Sequence, residues 1–365
     1  MSAGYRIRGT TSRVLCLCML SVGMACMAPG RLFAQASGQW QVPRTPYGHP
    51  DLQGNWTNAT ITPIQRPQGQ GRVLTPPEVA DIEGGREDFV EEQIQASDPD
   101  RDAPPSGGVL YGDPLLDAAS GGTGGYNYFW IDAGNKVAVY DGEPRSSLIT
   151  NPDNGRVPPM TQEGQQQMRE RMLASRQFGE FDNPENRPLS DRCIMSFGSN
   201  AGPPMLPNYF YNNNYTIVQT PDYVMIMTEM IHDARIIPLG DDYHPLPDDI
   251  RPWMGDSHGY WEGDTLVIET TNIRPEQVHE QSYAFPGGSA DLTVVERLTR
   301  AGPDVIDYEF TVIDPETYTQ PWGGQVPFRR QPGLIYEYAC HEANYAMTNI
   351  LSGARAEERE QAEKN

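Results

Sequence analysis

Two- and three-residue turns constrain this chain more than any other feature. Thr220-Pro221-Asp222, Gly263-Asp264 and Ala301-Gly302-Pro303 each separate segments rich in β-branched and aromatic residues. Links this short cannot cross over a sheet, so the strands they join must pair antiparallel. The same reading gives strands over Tyr215 to Gln219, Val224 to Met230, Ala234 to Pro238, Gly259 to Glu262 and Thr265 to Thr271. It continues through Leu292 to Arg300, Val305 to Ile313, Val326 to Arg330 and Leu334 to Cys340. Upstream, Ala133-Gly134-Asn135 reads as a hairpin turn between Tyr128 to Asp132 and Lys136 to Tyr140. The pattern predicts a mainly β fold, an antiparallel meander closing into a barrel or a strongly curled sheet.

The N-terminal third reads differently. Gly (36) and Pro (33) are abundant in the 365 residues, and prolines punctuate residues 37–125 so densely that only an extended arm fits. Its one helix runs from Pro77 to Gln95, with Thr75 as cap. Residues 126–343 form the β core, with an inserted helix over 161–177 capped by Thr161. A C-terminal helix from Asn344 to Gln361 follows, in a 344–365 segment whose charged end from Arg355 onward is expected to fray.

Residues 1–36 read as an export signal, with Arg6, Arg8 and Arg13 before an apolar stretch and Ala34-Gln35-Ala36 as the cleavage site. The expected location is therefore periplasmic or secreted. Cleavage removes Cys16, Cys18 and Cys26 and leaves Cys193 and Cys340, preferably as one disulfide in an oxidising compartment. The formal charge of −22 excludes nucleic acid and anionic membranes as charge-held partners. No apolar run is long enough for a spanning helix, so stable membrane insertion is not expected. Oligomeric state is not encoded in any motif.

Several motifs fail on context. Gly255-Asp256-Ser257-His258 resembles the nucleophile block of the GDSL hydrolases, but it runs into a hairpin instead of a strand-to-helix turn. His341-Glu342 lacks a second histidine one helical turn on, because Tyr345 stands there. The six histidines show no ligand spacing, so no metal is assigned; a site assembled from His232, His258 or His341 would make a metal-dependent hydrolase. No glycine loop cradles a nucleotide, and no cofactor is expected.

Polar residues inside strands are more informative. Leu292, Val294, Glu296 and Leu298 share one face by the period of two, which points Glu296 into an apolar interior, either as a functional acid or satisfied by Arg297 or Arg235. On the next strand Ile306, Tyr308, Phe310 and Val312 make the better core side, leaving Glu309 in solvent. The segment from Glu229 to Arg235 gathers an acid, His232, Asp233 and a guanidinium between two strands, either as a proton shuttle or as a structural corner. Tyr209, Phe210, Tyr211, Trp253, Trp261, Tyr336 and Tyr338 are the aromatics that could line a planar ligand site, with His341 beside them.

Five blocks then carry a family likeness: Tyr47 to Trp56, Ile231 to Pro238, Trp253 to Ser257, Trp261 to Thr270 and Tyr336 to Glu342. Over nearly the whole mature chain the sequence resembles a large family of exported, mostly uncharacterised bacterial proteins. It is similar to cofactor-independent lyases that remove carbon dioxide or formaldehyde from lignin-derived phenylcoumaran dimers to leave a stilbene. His258 departs from the pattern, standing where Arg is expected in relatives. The composite expectation is a lipocalin-like antiparallel barrel that acts without cofactor on a small aromatic, phenolic molecule. In it His232, oriented by Asp233, moves a proton, Arg235 holds an anionic group, and Glu296 or Tyr336 transfers a second proton. A carrier or sensor of hydrophobic ligands is the alternative, needing the aromatic lining but no proton-transfer pair.

Overall fold

The computed structural model describes residues 40–95, 100, 130–240, 242–280 and 287–364. The stretch read as an export signal, with Cys16, Cys18 and Cys26, and the start of the strand expected at Tyr128 lie outside them. The described residues from Trp40 onward belong to one compact unit.

Among the described residues twelve strands form, and nine of them make the body. These are β1 (Gly54–Thr57), β5 (Asn214–Gln219), β6 (Tyr223–Thr228), β7 (Ala234–Pro238), β8 (Asp256–Glu262), β9 (Thr265–Thr271), β10 (Thr293–Gly302), β11 (Val305–Ile313) and β12 (Trp322–Arg330). The spatial order is β7-β6-β5-β1-β12-β11-β10-β9-β8, antiparallel throughout. The result is a nearly closed antiparallel barrel of mainly β structure. Two meanders, β5 to β7 and β8 to β12, are sewn together by β1 from the N-terminal arm. An odd number of alternating strands leaves the two end strands pointing the same way. Accordingly β7 and β8 meet only through one parallel bridge, Leu239 to Gly259, and residues 239–255 supply the crossover that parallel neighbours need. The minor strands are β2 (Val139–Tyr140), β3 (Glu143–Pro144) and β4 (Ile149–Asn151), the last pairing with β12.

Period-two alternation fills the barrel. Val294, Glu296 and Leu298, Ile306, Tyr308, Phe310 and Val312, Leu266 and Ile268, and Tyr215, Ile217 and Phe328 are all buried. Tyr215 stacks on Phe328 at 5.1 Å, and Tyr308 lies 5.0 Å from Phe328. One mouth is sealed by the arm: Gln219 accepts from the Leu52 amide at 2.6 Å, and Trp56 lies under the Arg300 guanidinium at 4.6 Å. At the other, the Met205 amide donates to the Tyr308 hydroxyl at 2.8 Å and the Thr228 hydroxyl reaches the Ala201 carbonyl.

Four helices flank the barrel among the described residues: α1 (Pro76–Gln93), α2 (Gln162–Ser175), α3 (Pro275–Glu280) and α4 (Ala346–Lys364). At the start of α1 the Glu78 carboxylate accepts from both the amide and the hydroxyl of Thr75, and Thr161 caps α2 through the Gly164 amide at 2.9 Å. Two expectations are corrected: residues Leu334 to Cys340 form no strand, and Ala133-Gly134-Asn135 turns no hairpin, since Lys136 to Ala138 is coil. α4 is helical to Lys364. Cys193 and Cys340 are joined, with Cα atoms 5.7 Å apart.

Candidate functional site

Glu296 and Arg235 do converge inside the barrel, but on each other. The Arg235 guanidinium forks onto the Glu296 carboxylate at 2.5 and 3.0 Å, and the Tyr308 hydroxyl donates to the same carboxylate at 2.8 Å. Both charges are buried, Glu296 completely and Arg235 to 5% exposure. Arg297 turns outward to Glu262 instead. The pair links β7 to β10 across the seam, its hydrogen bonds are internally satisfied, and it has no free edge for a substrate. Its chemistry is that of a buried pin.

The imidazole proposed to act beside it does not. His232 sits in the turn between β6 and β7, where Ile231 (φ +68°) and His232 (φ +58°) both adopt left-handed backbone. For a β-branched residue that conformation is strained. No hydrogen bond joins His232 to Asp233. The Asp233 carboxylate accepts from the Ala234 amide at 2.8 Å, and His232 Nδ1 is buried with no hydrogen-bond partner. Asp233 is exposed and does not orient the ring. Tyr336 stands on coil, 76% exposed, far too wet to transfer a proton within a dry interior.

The aromatic set is scattered as well. Trp261 stacks on His49 at 4.7 Å, near the end of the barrel that the arm covers. Trp253 lies under the Arg274 guanidinium at 4.6 Å. The Tyr209 hydroxyl donates to the Thr62 carbonyl at 2.6 Å. Tyr338 and exposed His341 lie on the coil after β12. Ser257 is buried against the Thr270 hydroxyl at 2.8 Å with no histidine engaged. Glu309, expected in solvent, is half-buried under the Tyr140 hydroxyl, which donates to it at 2.5 Å.

Tyr211 alone of the expected set lines a cleft with titratable company. A cleft of about 310 Å³ opens where β5 begins and β6 ends, walled by Trp130, Asp132, Tyr211, Asn212, Asn214 and Glu229. The Asn-rich loop before β5 builds it. Asn208 accepts from the Phe210 amide at 2.9 Å and donates to the Tyr211 carbonyl at 2.9 Å, and Asn212 takes the left-handed φ of +56° that asparagine tolerates. The loop in turn grips Asp132, whose amide donates to the Phe210 carbonyl at 2.7 Å and whose carbonyl accepts from Asn213 at 3.0 Å. Tyr211 is backed by Phe210 and Phe197, with ring centroids 4.5 and 5.8 Å away.

Burial, reinforced by the neighbouring Glu229 carboxylate, pushes the Asp132 carboxyl up to about 6. Glu229 accepts from the Asn214 amide nitrogen at 2.7 Å, while the Asn214 Oδ1 is buried with no partner. Two carboxyls in unlike surroundings, one of them poised near neutrality, form an arrangement suited to moving protons. A second cleft of equal size, between residues 245–251 and 290–293, offers no aromatic wall, and its Arg251 is committed to the Ile273 and Ala290 carbonyls.

Sequence reasoning missed Asp132, read only as the last residue of the strand expected from Tyr128, and Asn214, which precedes the strand expected from Tyr215 and carries no motif. Glu229 was visible as the first acid of the 229–235 segment. Among the described residues no group of three or more His, Cys, Asp or Glu is arranged to hold a metal ion, and no helix is long and apolar enough to cross a membrane. Neither protein-family models, nor curated proteins, nor solved structures yield a match to this chain.

Proposed function

We propose that this protein is an acid–base enzyme that acts without cofactor on a small aromatic molecule, with its site in the mouth cleft and not in the barrel interior. The observation that carries the reading is the Asp132–Glu229 carboxyl pair beside Trp130 and Tyr211 in a cleft large enough for a small ligand. Asp132 takes a proton from a substrate hydroxyl and, once protonated, returns it to the oxygen of the bond that breaks, while the Glu229 carboxylate beside it, held by Asn214, raises its proton affinity. A carbon–carbon lyase step of the kind implied by the family likeness fits this pair. Releasing formaldehyde from a hydroxymethyl side chain needs a base for the hydroxyl proton and an acid for the phenoxide that leaves. Export is part of the proposal, supported by the Cys193–Cys340 bridge, which persists in oxidising compartments.

Asp132→Asn is expected to lower kcat/KM on phenolic dimers by about 10²- to 10⁴-fold. Wild-type kcat/KM rises with pH through about 6, because Asp132 must ionise to act as base. Mass spectrometry of such dimers after incubation is the direct assay. Unaltered substrate, or full turnover by a folded Asp132→Asn variant, would remove the assignment.

A further inference from the structure

The mouth cleft carries a charge imbalance that proton transfer alone does not use. Its walls hold two carboxyls, Asp132 and Glu229, two carboxamides, Asn212 and Asn214, and two aromatic rings, Trp130 and Tyr211, with no Lys, Arg or His among them. Inside the barrel the buried acid is matched: Glu296 meets the Arg235 guanidinium. At the mouth it is not. Among the described residues neither Asp132 nor Glu229 has an ion-pair partner. The charged neighbour that acts on Asp132 is Glu229, of like sign.

The cations anchored beside this turn are held elsewhere. Lys136 binds Glu83 at 2.8 Å, and Arg86 donates to the Gly134 carbonyl at 3.3 Å and lies 5.7 Å from the Phe89 ring. Trp130 is 63% exposed and Tyr211 half-buried, so both rings keep surface within reach of a ligand. Ring faces attract a cation as carboxylates do, and both repel an anion. The volume of about 310 Å³ equals about ten waters at ~30 Å³ each, room for a one-ring molecule. A hydrated metal ion would leave the rings unused, whereas an aromatic ammonium meets both the acids and the rings.

We propose that the mouth cleft selects aromatic molecules that bear a protonated or quaternary amine, seating the positive charge among the Asp132 and Glu229 carboxyls and the Trp130 and Tyr211 rings, and rejects those that bear a carboxylate. The inference rests on the reading above for the place of the site but not for its chemistry, since binding needs only ionised carboxyls and aromatic walls. The walls are braced for it. Asn214, donating to Glu229 at 2.7 Å, holds one carboxylate, and the Phe210 and Phe197 rings back Tyr211.

Calorimetric titration of the full chain with benzyltrimethylammonium, benzyl alcohol and benzoate tests this, in saline that screens the protein's general acidity and at about pH 7.5, where Asp132 is ionised. Benzyltrimethylammonium is expected to bind saturably with Kd on the order of 1 mM, benzyl alcohol about tenfold more weakly and benzoate not at all. Asp132→Asn should weaken the ammonium about tenfold, and Trp130→Ala about threefold. Trp130 is exposed, so the second variant keeps its melting temperature even where the first fails to fold. An absent isotherm for wild type, equal affinity for benzyl alcohol or benzoate, or wild-type affinity in either folded variant would overturn the proposal. Turnover of phenolic dimers without ammonium binding removes this proposal and leaves the lyase reading. Saturable ammonium binding without turnover does the reverse.

Discussion

At the scale of single residues, environment decides what an acid does. Asp132 has a carboxyl raised to about 6 in the folded chain, against ~3.9 when unfolded. The folded state therefore holds that proton more tightly, so its favourable contribution is complete below about pH 4 and is lost as pH rises through about 6. Asp132→Asn should consequently gain stability over wild type as pH rises through about 6, with the two converging near pH 3, as read by urea unfolding. Glu296 behaves oppositely under substitution. Glu296→Gln strands the Arg235 cation in the core and is expected to cost about 3–5 kcal/mol, whereas Arg235→Met with Glu296→Leu should cost less than either single change. A denaturation cycle over these variants separates a structural pin from a catalytic pair. The inward direction of Glu296 was legible from period-two alternation along β10, but the missing hydrogen bond between His232 and Asp233 was not. It follows from left-handed backbone at Ile231 and His232, which residue type does not announce.

At the scale of elements, pairing partners matter more than alternation. Leu334 to Cys340 alternates as a strand should, yet β12 already has β11 on one side and β1 and β4 on the other, so no edge remains beside it. Conversely Gly54–Thr57 is too short to stand out among prolines. It becomes a strand because β5 and β12 offer it an edge on each side. The coil after β12 is held by Cys340 instead, through a bridge that spans a sequence separation of 147 residues. Closing a loop of that length contributes about 4–5 kcal/mol by the chain-entropy argument. Cys340→Ser should lower unfolding stability by about that amount, and proteolysis should reach residues 334–345 before it reaches the barrel strands. An unchanged denaturation midpoint in this variant would show that the bridge is dispensable.

At the scale of the whole molecule, the odd strand count sets the weak point. Nine alternating strands force β7 and β8 to run parallel, and a single bridge from Leu239 to Gly259 joins them. The internal Arg235–Glu296 pair reinforces that seam from within. Hydrogen exchange should therefore be fastest among the barrel amides of β7 and β8 and slowest in β10 and β11, which have partners on both sides. Uniform protection around the ring would contradict this. The sequence by itself determined the antiparallel meanders, their inward faces, the helix caps and the pairing of Cys193 with Cys340, because these rest on local periodicity, turn chemistry and simple counting. Only the tertiary structure decided which acids became neighbours, that the barrel interior is filled, and that the cleft carboxyls sit at its mouth. Burial and the distance between remote charges are properties of the closed ring, and no stretch of neighbouring residues contains them.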